Sequence, residues 1–463
     1  MPSHIQAIPV SSDHLDVKPN QQLDHIPGPK GHWLFGNAKG LMPNLGPFIR
    51  KAQAEHGDCF TIGLFRNQRA LVMVGPDANK RVLLDPQDDF STRWGWQILH
   101  VFFGRNLLVR DFEHHRQHRR LMNHLFKPTV LASYLEQMNP LITTSLAAYQ
   151  GDVDVYWQTK QLALDIAVRV FAGLQPGDES RAYNHDLNTI LSNAMAHRIN
   201  LPGTRFRKGL KAKGRLSERL REQLRLRRGS NGTDLFSHLA NVTDEHGATL
   251  SDQDVIDHML GMLFAAHDTT ASSLAMIFWL LAEHPDWQTV LRDDVETLYR
   301  KSGSVHPAYE DLDQLPKVDL VLKEALRLYS PIQIIPRRTV REIDYLGYRI
   351  PKNTWVMLIP QATHFDERHF AEPDEFRPER FNPESELYRE FDPYAFIPFG
   401  RGSHMCLGMH FAHMEVKAVL YQMLLQRSLS PSDGPGLDLE YLPLVRPKGQ
   451  MQVRFASRLP KKP

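Results

Sequence analysis

One stretch of this chain is apolar almost all round, and it dominates the pattern of hydrophobic and polar positions. Ser251-Asp252-Gln253-Asp254 has the S-x-x-[DE] form that opens a helix. The apolar run behind it continues to Ala282, about 30 residues or ~45 Å of helix. Val255, Ile256, Met259, Leu260, Leu263 and Phe264 leave no polar face, which predicts a buried helix stopped by Pro285. Helical spacing prevails from about Asp77 to Gln426, with turns expected at Pro128, Pro140, Pro202 and Pro285. Phe60 to Phe65 and Arg69 to Val74 read as strands of a hairpin around Arg66-Asn67-Gln68. Strand-like patterning returns over Thr339 to Ile359 and Leu437 to Phe455. Residues 1–26 are polar and read as a disordered leader ended by Ile26-Pro27-Gly28-Pro29. The expected fold is mainly α (α+β): one domain over 27–463, a large helical part with β-rich parts at about 58–76, 339–360 and 437–456.

Composition narrows this only slightly. The 463 residues are 42% hydrophobic and 23% charged, as in an ordinary globular protein. A formal charge of +2 supplies no global field to recruit nucleic acid. No apolar stretch reaches the ~18 residues of a membrane span, and Met1 to His25 lacks an apolar signal core. There are two cysteines, Cys59 and Cys406, so a Cys406 committed to a ligand leaves no disulfide partner. A soluble, cytoplasmic protein is expected. The Lys/Arg-rich segment Arg205 to Arg228 has helical spacing and reads first as a solvated face, and it is left unassigned.

The chemistry concentrates in Phe399-Gly400-Arg401-Gly402-Ser403-His404-Met405-Cys406-Leu407-Gly408. A thiol before a helix start is expected to have a depressed pKa, and glycines at 402 and 408 let a bulky planar ligand approach. An inert buried cysteine is the common alternative. Zinc held by His404, Cys406, His410 and His413 is another, although the spacing is not the usual C-x2-4-C or H-x3-5-H pairing. A soft anionic ligand beside the flat face of Phe399 suits haem iron best. The segment resembles the haem-binding loop of the cytochrome P-450 family, F-G-x-G-x-[R/H]-x-C-x-G, at every fixed position.

Three further motifs follow the same resemblance. Ala265-Ala266-His267-Asp268-Thr269-Thr270 interrupts the apolar helix with polar groups that need satisfying. Thr269 can bond back to the carbonyl of Ala265 and open a groove. The run is similar to the family's [A/G]-G-x-[D/E]-T-[T/S], with Ala266 where glycine is usual. By resemblance Asp268 and Thr269 relay protons and Ala265 lies over the cofactor, while His267 is unassigned. Glu324-x-x-Arg327 and Arg380 of Pro378-Glu379-Arg380-Phe381 match a structural triad that holds the cysteine loop. His115 and Arg119 match W-x-x-x-R with His in the Trp position. With Arg337 and His404 they are expected on the haem propionates, and the histidines' loss of charge is expected to loosen cofactor at alkaline pH.

The resemblance covers Pro27 to the C-terminus and implies the cytochrome P-450 fold. It also implies haem b with Cys406 as axial thiolate and with Phe399 and Gly408 against the cofactor. The implied activity inserts one oxygen atom from O2 into an apolar small molecule, with electrons from a separate donor, expected to be ferredoxin and its reductase. Basic residues from His114 to Arg120 and Lys127 are the expected docking face for that donor. Asn200 to Thr204 is similar to the retinoic-acid, sterol and plant-hormone hydroxylase group, implying a terpenoid, retinoid or steroid-like substrate. Its pocket is expected from Arg93, Trp94, Trp96, Phe103, Leu201, Phe206, Phe264, Ile334 and Ile335. Alternatives on the same fold are a peroxide-driven hydroxylase, an isomerising synthase and a non-catalytic haem-thiolate sensor.

Overall fold

In the computed structural model the long apolar helix runs Asp252–Glu283, capped by the Ser251 side chain, which accepts from the Asp254 N–H. The structure describes residues 12, 15, 16, 18–41, 45–175, 177–194, 196, 198–434 and 436–458. The long helix is the axis of the helical part. Against it pack Val155–Ile166, Arg205–Arg227, Pro316–Leu328 and Met409–Gln426, which leads away from the cysteine loop. Their apolar faces form one continuous core around Leu260, Ala275, Phe278 and Leu420. Pro285 opens the next helix, Pro285–Ser302, in the first-turn position where its missing N–H costs nothing.

A five-stranded sheet flanks the helical part, in the order Cys59–Gly63, Arg69–Met73, Trp355–Leu358, Ile335–Thr339, Phe90–Ser91. The first pair is the expected hairpin, in register Cys59 to Met73. The central pair, Arg69–Met73 with Trp355–Leu358, is parallel and joins segments far apart in the chain. Alternation sends Leu71 and Met73 to one apolar cluster and Ala70 and Val72 to another, so both faces are covered. A smaller antiparallel sheet orders Gly151–Asp154, Gln452–Ser457 and Arg427–Pro431.

Two local expectations are corrected. Pro140 lies inside the helix Pro128–Ala147 instead of at a turn. The buried face of Leu131, Tyr134, Leu135, Met138, Ile142 and Leu146 carries the helix past it, outweighing a penalty of ~3 kcal/mol. In the expected leader the described residues 12, 15, 16 and 18–26 are ordered, and the rest of that expectation lies outside the described residues. Leu23 and Ile26 are buried against Leu71 and Val356, Asn20 N donates to Asn353 O at 2.7 Å, and Ser12 Oγ donates to Asp111 at 2.7 Å. A few apolar residues in a polar segment suffice to cover the sheet.

Candidate active site

The cysteine loop folds back on itself. Cys406 N donates to Phe399 O at 2.9 Å and Met405 N to Gly402 O at 3.1 Å. Gly402 sits at φ +69°, and a Cβ there would stand 2.0 Å from Leu83 O, so no side chain fits. At Gly408 a Cβ would meet no atom within 4 Å, so the approach beside it stays open. Cys406 has accessible surface, yet burial dominates its titration, because that surface opens to the protein interior. Burial raises the thiol pKa; the Gly408 N–H and Arg119 pull it down without reversing the shift. The depressed pKa expected from the helix start is therefore absent in the free thiol. A metal would supply the driving force, since a coordinating thiol is deprotonated outright.

Glu324, Arg327 and Arg380 form one buried network. Arg327 clamps both Glu324 oxygens at 2.8 and 2.9 Å, and Arg380 Nε reaches Glu324 Oε1 at 3.0 Å. Arg327 Nη1 also donates to His364 O at 2.9 Å, and His364 Nε2 accepts from Ile397 N at 3.1 Å, just before the cysteine loop. Burial, then Arg327, lowers the His364 pKa to about 3, which keeps Nε2 an acceptor. Sequence reasoning missed His364; its only signal was a histidine in the apolar run that follows Trp355.

On the long helix Ala265 is exposed in mid-span between the half-buried Phe264 and Ala266, with Leu263 and His267 buried on either side. Thr269 Oγ1 donates to Ala265 O at 2.7 Å, the back-bond weighed from sequence. Asp268 is not free: Lys160 Nζ lies 2.8 Å and His267 Nδ1 3.1 Å from Oδ1, contacts of ion-pair rather than hydrogen-bond geometry. Burial pushes its pKa up, but His267 and Lys160 together hold the carboxyl well below the usual range. Lys160 was not singled out from sequence, and its position on Val155–Ile166 reveals its role only once the two helices are packed.

A cluster of cations and imidazoles stands beside the loop. His115 and His404 stack at 3.7 Å, Arg119 Nη1 donates to Met405 O at 2.5 Å, and the buried Arg337 donates to Pro336 O at 2.9 Å. Among the described residues neither Arg119 nor Arg337 pairs with a carboxylate within 4 Å, and His115 Nδ1 is buried without a partner. These unspent donors fit the carboxylates of a haem. Burial and the neighbouring arginines lower the His115 pKa to about 3 and hold His404 well below its ordinary value. The zinc alternative lacks a convergent ligand set: His404 faces His115, and His413 pairs with Asp319 at 3.1 Å.

Of the expected pocket residues, Phe103 and Phe264 stack at 4.2 Å, and Trp96 packs on the main core. Phe206 is buried edge-on to Phe102 at 5.5 Å. Ile334 and Ile335 pack with the sheet clusters, Trp94 donates its indole N–H to Ser12 O at 2.8 Å, and Arg93 lies over Trp94. Leu201 is 61% exposed, outside any closed lining, because its turn projects ahead of the basic helix. That helix spends much of its charge internally: Arg215 and Arg219 both grip Asp186, and Lys213 caps Val101 O. On the expected donor-docking face Arg116 pairs with Asp88 and Arg120 with Glu113, while Arg119 and Lys127 form no ion pair among the described residues.

A family model described as Cytochrome P450 matches residues 26–171 and 204–455. A cytochrome P450, number 136, of Mycobacterium tuberculosis is 35% identical over 387 residues, covering 80% of this chain and 77% of that protein. Taxane 10-beta-hydroxylase of Taxus cuspidata is 32% identical over 84% of this chain and 81% of its own length. The solved structure described as retinoic acid bound cyanobacterial CYP120A1 superposes with a TM-score of 0.84 at 27% identity, covering 94% of this chain and 99% of that one. With the cysteine loop, the acid–alcohol helix and these matches in hand, the chain belongs to the cytochrome P450 family of haem-dependent monooxygenases.

Proposed function

We propose that this chain hydroxylates an apolar terpenoid- or retinoid-like molecule, with Cys406 as the thiolate that would hold haem iron and electrons from a separate donor such as ferredoxin and its reductase. The observation that carries this reading is accessible surface at Cys406 and at Ala265 in the middle of an otherwise largely buried helix, together with the unspent cations beside the cysteine loop. Haem held there by the Cys406 thiolate would supply the O2-activating chemistry. His115, Arg119, Arg337 and His404 would hold its propionates. Asp268 remains a carboxylate through its contacts with Lys160 and His267, so it accepts a proton and passes it on rather than storing one. Thr269 delivers the proton after giving up its bond to Ala265 O.

The substrate class is supported by taxane and taxoid hydroxylases among the relatives and by the retinoic acid named for the structural neighbour. The stacked Phe103 and Phe264 offer such a ligand an aromatic wall. A strongly red-shifted Soret band on adding carbon monoxide to reduced protein, lost in Cys406→Ser, is expected. A spectral-shift screen of diterpenoids and retinoids then identifies ligands that displace iron-bound water. An unshifted Soret, or a library without a single responder, overturns the respective half of the proposal.

A further inference from the structure

Asn231-Gly232 is the one Asn-Gly pair in the sequence. Asparagine is a thermally labile side chain, and its lability depends on the residue that follows. The backbone nitrogen of that residue can attack the side-chain Cγ, and glycine, without a Cβ, leaves the approach unhindered. Packing favours glycine at 232, where a Cβ would stand 2.3 Å from Ser237 Oγ and 2.8 Å from Ser237 Cβ. A fold protects such a pair by holding the asparagine amide or the attacking N–H in hydrogen bonds. Asn241 is held in this way, its Nδ2 donating to Arg227 O and Ser237 O, both at 2.8 Å. Asn231 is exposed, and among the described residues neither its side-chain amide nor the Gly232 N–H has a hydrogen-bond partner.

The pair lies in the connection between the helices Arg205–Arg227 and Leu235–Asn241. Both sides of it are fastened. Before it, Ser230 N donates to Arg227 O at 3.0 Å and Gly229 N to Asn241 Oδ1 at 2.6 Å. After it, Asp234 caps the second helix, accepting from Ser237 N at 2.9 Å and from Arg227 Nε at 3.1 Å. Arg228 ties the same connection to the start of the long helix, donating to Leu250 O at 2.7 Å and Asp252 Oδ1 at 2.9 Å. Leu235, Phe236 and Leu239 of the second helix are buried in the main core. An unheld pair between two fastened points cannot lengthen its backbone without pulling on one of them.

We propose that Asn231 is a site of spontaneous deamidation, which adds a negative charge to this connection and loosens it. Gly232 N forms a bond to Asn231 Cγ and gives its proton to the departing amide nitrogen, which leaves as ammonia. Water then opens the cyclic imide at one carbonyl or the other, giving aspartate or isoaspartate, with no change of oxidation state. The formal charge of +2 falls by one, and the isoaspartate product carries one more methylene in its main chain. The test keeps the haem-loaded full chain in mildly alkaline buffer, with the urea-unfolded chain as reference, and follows both by isoelectric focusing and peptide mass spectrometry. An acidic band is expected to grow, faster at higher pH, with the modification at Asn231 preceding that at any other asparagine. Isoaspartyl methyltransferase should label the aged parent at this peptide. Asn231→Gln should lose both the band and the label with the haem spectrum unchanged. Amide hydrogens of Leu235–Asn241 should exchange faster in the aged parent than in the equally aged variant. Asn231 intact in the folded chain after it has converted in urea, an acidic band that the variant retains, or equal exchange in the two aged samples each overturns the proposal.

Discussion

Replacing Arg327 by methionine tests whether the buried network holds the cysteine loop. Arg327 and Glu324 side chains are both fully buried, and Arg327 donates five hydrogen bonds, two to Glu324 and one each to the carbonyls of His364, Pro373 and Glu375. Methionine fills much of the volume but donates nothing. Glu324 would keep Arg380 and the Arg377 N–H, while the His364 and Pro373 carbonyls would lose the guanidinium. Breaking a buried pair on one side costs ~3–5 kcal/mol, mostly through the charge left behind. Urea unfolding of the holoprotein should therefore shift by about 4 kcal/mol. The Soret signal should disappear at lower urea than the far-UV signal, because the route from Arg327 through His364 to Ile397 leads to the loop. Glu324→Leu/Arg327→Met removes the carboxylate that Arg327 held but leaves Arg380 without its ion pair, so it should cost less than the sum of the two single variants while staying below the parent in stability. A single-variant cost below ~1 kcal/mol, or a double variant costing the sum of both singles, refutes the reasoning.

Lys160→Met removes a cation from Asp268 while leaving it buried, so its carboxyl pKa rises; the acid limb of turnover should move up by roughly one pH unit with substrate-induced spectral shifts unchanged, and superimposable profiles would count against the assignment. Thr269→Ala loses one hydrogen bond to Ala265 O, about 1 kcal/mol of stability, and should divert electrons from product to peroxide; equal coupling in mutant and parent removes Thr269 from the relay. Burial raises the Glu415 pKa to about 8 from 4.5, with Oε1 unpartnered, so the folded state binds an extra proton between those values and loses stability as pH rises through them. Glu415→Gln should flatten that slope, at most about 1.4 kcal/mol per pH unit, and gain nothing at pH 4; a parallel displacement of both stability curves contradicts it.

What the sequence displayed was local. The Ser251 cap, the all-round apolar helix, the hairpin from Cys59 to Met73 and the spacing of the cysteine loop each involve residues within a few turns of one another. What it concealed was the destination of buried charge. Asp268 in an apolar helix had to find a cation. That cation proved to be Lys160, a residue whose surroundings, Gln158-Thr159-Lys160-Gln161, look like a solvated face. His364 is concealed in the same way, since its role depends on Arg327 and Ile397 meeting across the fold. The thiol shows the limit most sharply. Motif and helix start both argue for an anion, yet burial raises its pKa, and the Gly408 N–H and Arg119 only soften the shift. A buried site can be arranged to want a metal without being charged in advance, and the unspent donors of Arg337 and His115 follow the same logic: desolvation is accepted where a ligand of opposite charge is to arrive.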